Sequence, residues 1–259
     1  MLRRVLIATV VLALALGASG CAGLPLNSSG DAAEAAALLK DAQEASSNLN
    51  SVGFFMTMNV DAAGQNFTMT MHGGAYLKGD QAGDMALQMA LNGAGVPANA
   101  MQMVLRDDRI YFELNGTWHQ LPGKLDLDQL EQADSQIGGL DLVNYVKDVH
   151  VESHTTFLGE PVTKIAATIS GQDLLKAALG QINSSLGQAG DGSALQIPAG
   201  TFDVGDVRIV LYISDETHLM RAAHEDLTIT VQGQKAHIVL DMSVVDVNQP
   251  VDIPNPSAV

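Results

Sequence analysis

The run Val52-Gly53-Phe54-Phe55-Met56-Thr57-Met58-Asn59-Val60, followed after a short break by Phe67-Thr68-Met69-Thr70-Met71-His72, decides the fold. Apolar side chains return at every second position. Phe54, Met56, Met58 and Val60 share one side of the first run; Phe67, Met69 and Met71 share one side of the second, with Thr68, Thr70 and His72 opposite. A period of two sends successive side chains to opposite faces of an extended chain, so both runs read as half-buried strands. The pattern continues C-terminally through Met85, Leu87, Met89 and Leu91, then Met101, Met103 and Leu105, then Ile110, Phe112 and Leu114. Turn residues separate the runs: Ala-Gly at 63–64, Lys-Gly-Asp at 78–80, Asn-Gly at 92–93, Asp-Asp at 107–108 and Asn-Gly at 115–116. An antiparallel meander of at least five strands is predicted.

Around this meander the period changes. Leu38, Leu39, Ala42, Ala45 and Leu49 recur at helical spacing, and Asp31 with Glu34 resembles a capping pair, which predicts an amphipathic helix over 32–49. Residues 125–147, rich in Leu, Asp and Gln and broken by Gly138 and Gly139, suggest two short helices. A strand pair follows at 149–157 and 161–169. Ser170 with Asp173 caps an expected helix whose stripe includes Leu174, Leu175 and Leu179. The Gly/Ser/Ala-rich residues 184–203 read as a loose connection. Three strands, roughly 204–214, 218–232 and 235–247, finish the chain. Strands, then helices, then strands, without regular βαβ alternation, indicate an α+β fold on an antiparallel sheet.

The start of the chain reads as an export signal. Arg3 and Arg4 precede an apolar run from Val5 to Leu16 and the small residues Gly17, Ala18, Ser19 and Gly20. The apolar run is shorter than the roughly 20 residues that span a bilayer. Cys21, the single cysteine, stands directly after the small residues, as in a bacterial lipobox whose thiol is acylated. The other reading is an ordinary signal peptide with a chance cysteine. Acylation implies a signal peptide at 1–20, a lipidated Cys21 with a flexible tether to residue 30, and a domain over 31–259. The protein is then expected on the outer face of the cytoplasmic membrane, on a tether reaching at most about 30 Å.

Thirteen basic against 29 acidic residues give a net charge of −16, and loss of Arg3 and Arg4 makes the remainder more acidic still. Such a surface does not suit nucleic acid or anionic head groups, both of which need clustered Lys and Arg. A single cysteine forms no internal disulfide.

Sheet faces are usually filled with stiff β-branched and aromatic residues, yet aromatic content is 4% and methionines number eleven. Methionine is unbranched and polarisable and suits surfaces that adapt to more than one shape. Two readings stand: a core that uses methionine as filler, or a face lining a cavity for alkyl chains. The candidate lining is Phe54, Met56, Met58, Phe67, Met69, Met71, Met85, Leu87, Met89, Met101 and Met103, with Leu174, Leu175 and Leu179 bordering the entrance.

Sites of other chemistry are weak. His150 and His154 would sit about 13 Å apart on a strand, too far to share one metal. Nucleophile elbow, phosphate loop, dinucleotide fingerprint and Cys-His cluster are not found in the sequence, so neither metal nor cofactor is expected and an enzyme is disfavoured. Asn66-Phe67-Thr68 and Asn115-Gly116-Thr117 match a glycosylation pattern but read as strand and turn residues.

Several segments together resemble the actinobacterial LppX/LprG lipoprotein family, itself similar in shape to the periplasmic carriers LolA and LolB. They are Leu49-Asn50-Ser51-Val52, Asp107-Asp108-Arg109-Ile110-Tyr111-Phe112 with Gly116-Thr117-Trp118, and Leu158-Gly159-Glu160-Pro161-Val162. Further C-terminal come Leu211-Tyr212-Ile213-Ser214, His218-Leu219-Met220-Arg221 and Pro250-Val251-Asp252-Ile253-Pro254. Ser214 stands where that family more often has aspartate. The resemblance implies a strongly curved antiparallel half-barrel covered by helices, with an apolar cavity between the layers. It also implies non-catalytic carriage of acylated lipids or lipoglycans from the cytoplasmic membrane outward. The alternative is a lipoprotein interaction or assembly module docking to a membrane transporter or a wall component.

Overall fold

The computed structural model describes residues 30–62, 64–93, 96–107, 109–114, 116–121, 146–173, 202–231 and 233–256. One helix, α1 (Gly30–Ser47), leads into β1 (Ser51–Ala62), β2 (Gln65–Tyr76), β3 (Met85–Gly93), β4 (Val96–Arg106), β5 (Arg109–Leu114) and β6 (Thr117–Gln120). After residues outside the described set come β7 (Val146–Phe157), β8 (Glu160–Ile169), β9 (Phe202–Val204), β10 (Val207–Ser214), β11 (Met220–Val231) and β12 (Gln234–Val245).

All twelve strands form one sheet in the order β6-β5-β4-β3-β2-β1-β12-β11-β10-β8-β7, with β9 pairing β11 to one side. Every pairing is antiparallel. The first six strands are the predicted meander with a sixth strand added. The long-range joint is β1 against β12, from Gly53 opposite Val245 to Ala62 opposite Ala236.

Because paired residues share a face, the register carries one apolar surface across the joint. Ile213, Leu211, Ile209 and Val207 of β10 line up with Ile165 and Ile169 of β8 and with Ala223 and Leu227 of β11. Those continue into Ile238, Leu240 and Met242 of β12 and on to Val60, Met58 and Met56 of β1. Helix α1 lies on the same face at the β7–β8–β10 end, where Ala35 and Ala42 are buried with Ile165 and Ile213. Small alanines let the helix backbone approach the sheet, and Leu38, Leu39, Val149 and Val151 pack around the same cluster. The opposite face carries polar pairs: Thr68 Oγ1 donates to Asn59 Oδ1 at 2.9 Å, and His224 Nδ1 lies 2.7 Å from Asp241 Oδ1.

The C-terminal segment closes onto the start of the meander. Ser51 Oγ donates to the Gln249 carbonyl at 2.6 Å, and the Val251 N–H donates to Tyr76 Oη at 3.0 Å. Gly74 is required here, since a Cβ would come within 2.7 Å of Val251 Cγ1. Ser214 is fully buried; its hydroxyl donates to Glu160 and accepts from the Thr217 N–H. Arg221 holds the other side of Glu160 at 2.8 Å, so the β7–β8 and β10–β11 turns are locked together.

Several expectations are corrected. Residues 146–147 are strand rather than helix, because a bulge lets Val146 pair with Ile169 and Asp148 with Thr168. The helix begins at Gly30, so Asp31 sits inside the first turn, where it favours the positive helix end instead of capping it. The strand expected from 204 divides into β9 and β10, and β11 starts only at Met220, after a turn in which His218 has φ 57°. Asn92-Gly93 is not the turn: β3 runs through Gly93, whose missing Cβ makes room for the Phe67 ring. The two helices expected within 125–145, the helix continuing from 174 and the loose 184–201 stretch lie outside the described residues. Helical backbone is described only over 171–173 there. The described residues form an open antiparallel sheet with α1 on one end, and the helices expected to cover a curved half-barrel fall outside them.

Candidate functional site

The methionines gather into a ladder that no local segment reveals. Met242, Met56, Met71, Met89 and Met101 occupy directly paired positions on β12, β1, β2, β3 and β4. A second row beside it runs Leu240, Met58, Met69 and Leu91. Cross-strand neighbours stand about 4.5–5.5 Å apart between Cβ atoms, so these side chains make a continuous thioether and alkyl surface.

Burial changes along the ladder. Met56, Met58, Met69 and Met71 are buried in a cluster with Ile238, Leu240, Leu227 and Ile209. Phe67 is buried as well, while Phe54, Met85, Leu87, Met89 and Met103 are half-buried and Met101 is 37% exposed. The candidate lining residues thus all fall on one face, but in two settings. Met56, Met58, Met69 and Met71 are packed among aliphatic neighbours; Phe54 and the residues on β3 and β4 keep accessible surface, Leu87 and Met89 also packing against that cluster. At the far edge Phe112 stacks on His119 with ring centroids 5.3 Å apart. Leu174, Leu175, Leu179 and Cys21 lie outside the described residues.

One charged residue interrupts the apolar face. Glu225, in the middle of β11, pairs with Ile209 on β10 and Leu240 on β12, in the same row as Met58 and Met69. It is 6% exposed. Burial alone pushes its carboxyl up from 4.5 to about 7, because the low-dielectric surroundings penalise the charged form. Its place in the period-two series Ala223, Glu225, Leu227, Ile229 is the sequence signal that puts Glu225 on the inner face.

His150 and His154 do not share a face. A bulge between Val151 and Ser153 places His150 opposite Ala166 and His154 opposite Thr163, on opposite sides of the sheet. His150 Nδ1 lies 3.2 Å from Asp148, and His154 Nδ1 2.9 Å from Thr163 Oγ1, which itself donates to Asp215 at 2.7 Å. Among the described residues, no three His, Cys, Asp or Glu side chains gather to hold a metal, and no helix is long and apolar enough to cross a membrane.

Chemically, the face offers dispersion and apolar burial, with the carboxyl of Glu225 as its one buried acid among the described residues.

No protein-family model and no curated protein matches the chain. Among solved structures it is similar to LprF from Mycobacterium bovis, at 16% identity and TM-score 0.49, covering 89% of this chain and all of that one. It is similar to the lipoprotein LppX from Mycobacterium tuberculosis, at 16% identity and TM-score 0.48, covering 84% and 97%. A LolA superfamily protein from Nitrosomonas europaea is similar at 8% identity and TM-score 0.23, covering 85% and 94%. The LppX/LprG lipoproteins, which the sequence motifs resemble, are thus represented among the structures this chain is similar to.

Proposed function

We propose that this chain is a non-catalytic lipoprotein, anchored through an acylated Cys21 to the outer face of the cytoplasmic membrane. It takes up acylated lipids or lipoglycans against its methionine-rich face and carries them toward the outer envelope. The observation that carries this reading is the ladder Met242–Met56–Met71–Met89–Met101, continuous across five strands, buried at Met56 and Met71, half-buried at Met242 and Met89 and exposed at Met101. Flexible thioether side chains accommodate alkyl chains of differing shape. The energetic need is plain: each CH₂ taken out of water gains about 0.8 kcal/mol, so a long-chain lipid does not cross an aqueous gap unaided. On this reading Leu174, Leu175 and Leu179 border the entrance to the sheltered face.

The test is direct. Purify the Cys21→Ser protein, extract it with organic solvent and analyse the extract by mass spectrometry. Co-purified acylated lipid, or stoichiometric uptake of added phospholipid or glycolipid, is the expected result; neither being found ends the carrier reading.

A second reading has one observation in its favour. Met56, Met58, Met69 and Met71 pack into the aliphatic cluster as ordinary core residues do. A fully filled core would leave a tethered interaction module that docks to a membrane transporter or wall component, and Cys21→Ser would then release it from membranes without loss of any lipid.

A further inference from the structure

The sulfur of the methionine ladder reaches solvent at one end. Ten of the eleven methionines are among the described residues, and of these Met101 alone is exposed. Its exposure is 37%, against 7% or less for Met56, Met58, Met69 and Met71. The register explains the difference. Met101 pairs with Met89 on β3, but the β4–β5 pairing runs only from Arg106 opposite Arg109 to Gln102 opposite Glu113, one residue short of it. Met101 also stands outside the packed cluster that contains Met56, Met58, Met69 and Met71 and has Met89 and Met242 against it. A thioether open to peroxide is converted to the sulfoxide, which turns a flexible apolar side chain into a polar, chiral one and disrupts methionine-rich surfaces. Cys21 is the single cysteine, so once its thiol is acylated the methionines are the only oxidisable sulfur in the chain apart from that thioether.

We propose that Met101 is a modification site, at which oxidation by hydrogen peroxide switches off lipid binding without unfolding the domain. The proposal rests on the carrier reading above and adds its regulation. Peroxide transfers one oxygen atom to the Met101 Sδ: the O–O bond breaks and an S–O bond forms. The thioether is oxidised and the peroxide reduced; the proton on the transferred oxygen passes to the departing hydroxide, which leaves as water. The new sulfoxide oxygen is a hydrogen-bond acceptor, and the side chains of Met89 and Met103 beside it carry no N–H or O–H to meet it. An alkyl chain laid over that point removes the sulfoxide from water and returns no hydrogen bond, so the modification opposes lipid uptake. Because Met101 is exposed and stands outside the packed cluster, the buried part of the ladder keeps its packing.

Limited hydrogen peroxide, applied to the Cys21→Ser protein to about one added oxygen per chain, tests this with two readouts. Peptide mapping should find the sulfoxide at Met101 at least about fivefold more often than at Met56, Met58, Met69 or Met71, the ratio of their exposures. Native mass spectrometry with stearoyl lysophosphatidylcholine then compares oxidised and unoxidised chains in one sample. The oxidised chains should bind this lipid roughly fivefold more weakly, with an unchanged circular dichroism spectrum. Treatment with methionine sulfoxide reductases for both sulfoxide epimers should restore binding. In Met101→Leu, binding should no longer fall with the same peroxide dose, whatever its starting level. Sulfoxide spread evenly over buried and exposed methionines, oxidised chains that bind as well as unoxidised ones, or a loss that persists in Met101→Leu overturns this inference and leaves the carrier reading intact. Absence of lipid on the unoxidised chain overturns both.

Discussion

The two halves of the inner face obey the same alternation yet end in different surroundings. From β10 through β2 the centre of the face is closed, with Val207, Ile238, Leu240, Met58 and Met69 each 3% exposed or less, while Leu211, Met242, Val60 and Phe54 toward its margins are half-buried. From β3 through β5, Met85, Leu87, Met89, Met103, Ile110 and Phe112 stay half-buried and Met101 is exposed. Period-two patterning therefore says which side of a strand is apolar, but not whether that side is packed by the protein or left for something else. Methionine bridges the two regimes because the same side chain fills a core gap on β1 and offers adaptable surface on β4.

Substitutions that break this contrast rank by burial. The largest effect belongs to Ile238→Ala or Met58→Ala, which should cost about 2–5 kcal/mol in urea unfolding because the rigid surroundings leave a cavity. A cost under about 1 kcal/mol there would mean that the closed half is as loose as the open one.

Next comes the pH dependence set by Glu225. Its folded carboxyl titrates at about 7, against 4.5 for an ordinary glutamate. The folded state thus holds a proton that the unfolded chain has lost between those values. Stability from this group is fully present below about 4.5, falls as pH rises toward about 7 and is flat above, a total on the order of 3 kcal/mol. Glu225→Leu should flatten the difference in unfolding free energy between about pH 5 and about pH 8; an unchanged slope would place the carboxyl in water.

In the open half, Met101→Ala with Met103→Ala should cost no more than about 1 kcal/mol of stability, since neither side chain is fully buried. The same pair should weaken lipid retention, read by the mass of extracted lipid. A large stability loss would move β4 into the core. Smallest of all, Asp241→Asn on the outer face, which removes the pair with His224, should change stability by less than about 1 kcal/mol.

Much of this architecture could be read in advance, and for a physical reason. Strands such as β1, β2 and β8 are long enough for alternation to be unambiguous, and two-residue turns such as Leu158-Gly159, both at positive φ, set their hairpin register. Other features resist. Four-residue β6 and three-residue β9 are too short to display a period. The bulges in β7, which separate His150 from His154, leave no trace in composition. The pairing of β1 with β12 spans nearly the whole chain, so the methionine ladder exists only once the sheet is assembled. Of the candidate site, the methionine, leucine and phenylalanine positions on β1 to β4 were legible because they follow the period. Glu225 was not, because a charged residue at an apolar position of the period reads from sequence as a solvent-facing one.

The most direct test of a lipid-sheltering face is photo-crosslinking with a phospholipid that carries a diazirine midway along one acyl chain, followed by peptide mapping. Adducts within residues 85–105, centred on Met89, Met101 and Met103, are the predicted result. Adducts confined to the polar outer face around His224, His237 and Asp241, or none above the level of a lipid-free control, would contradict it.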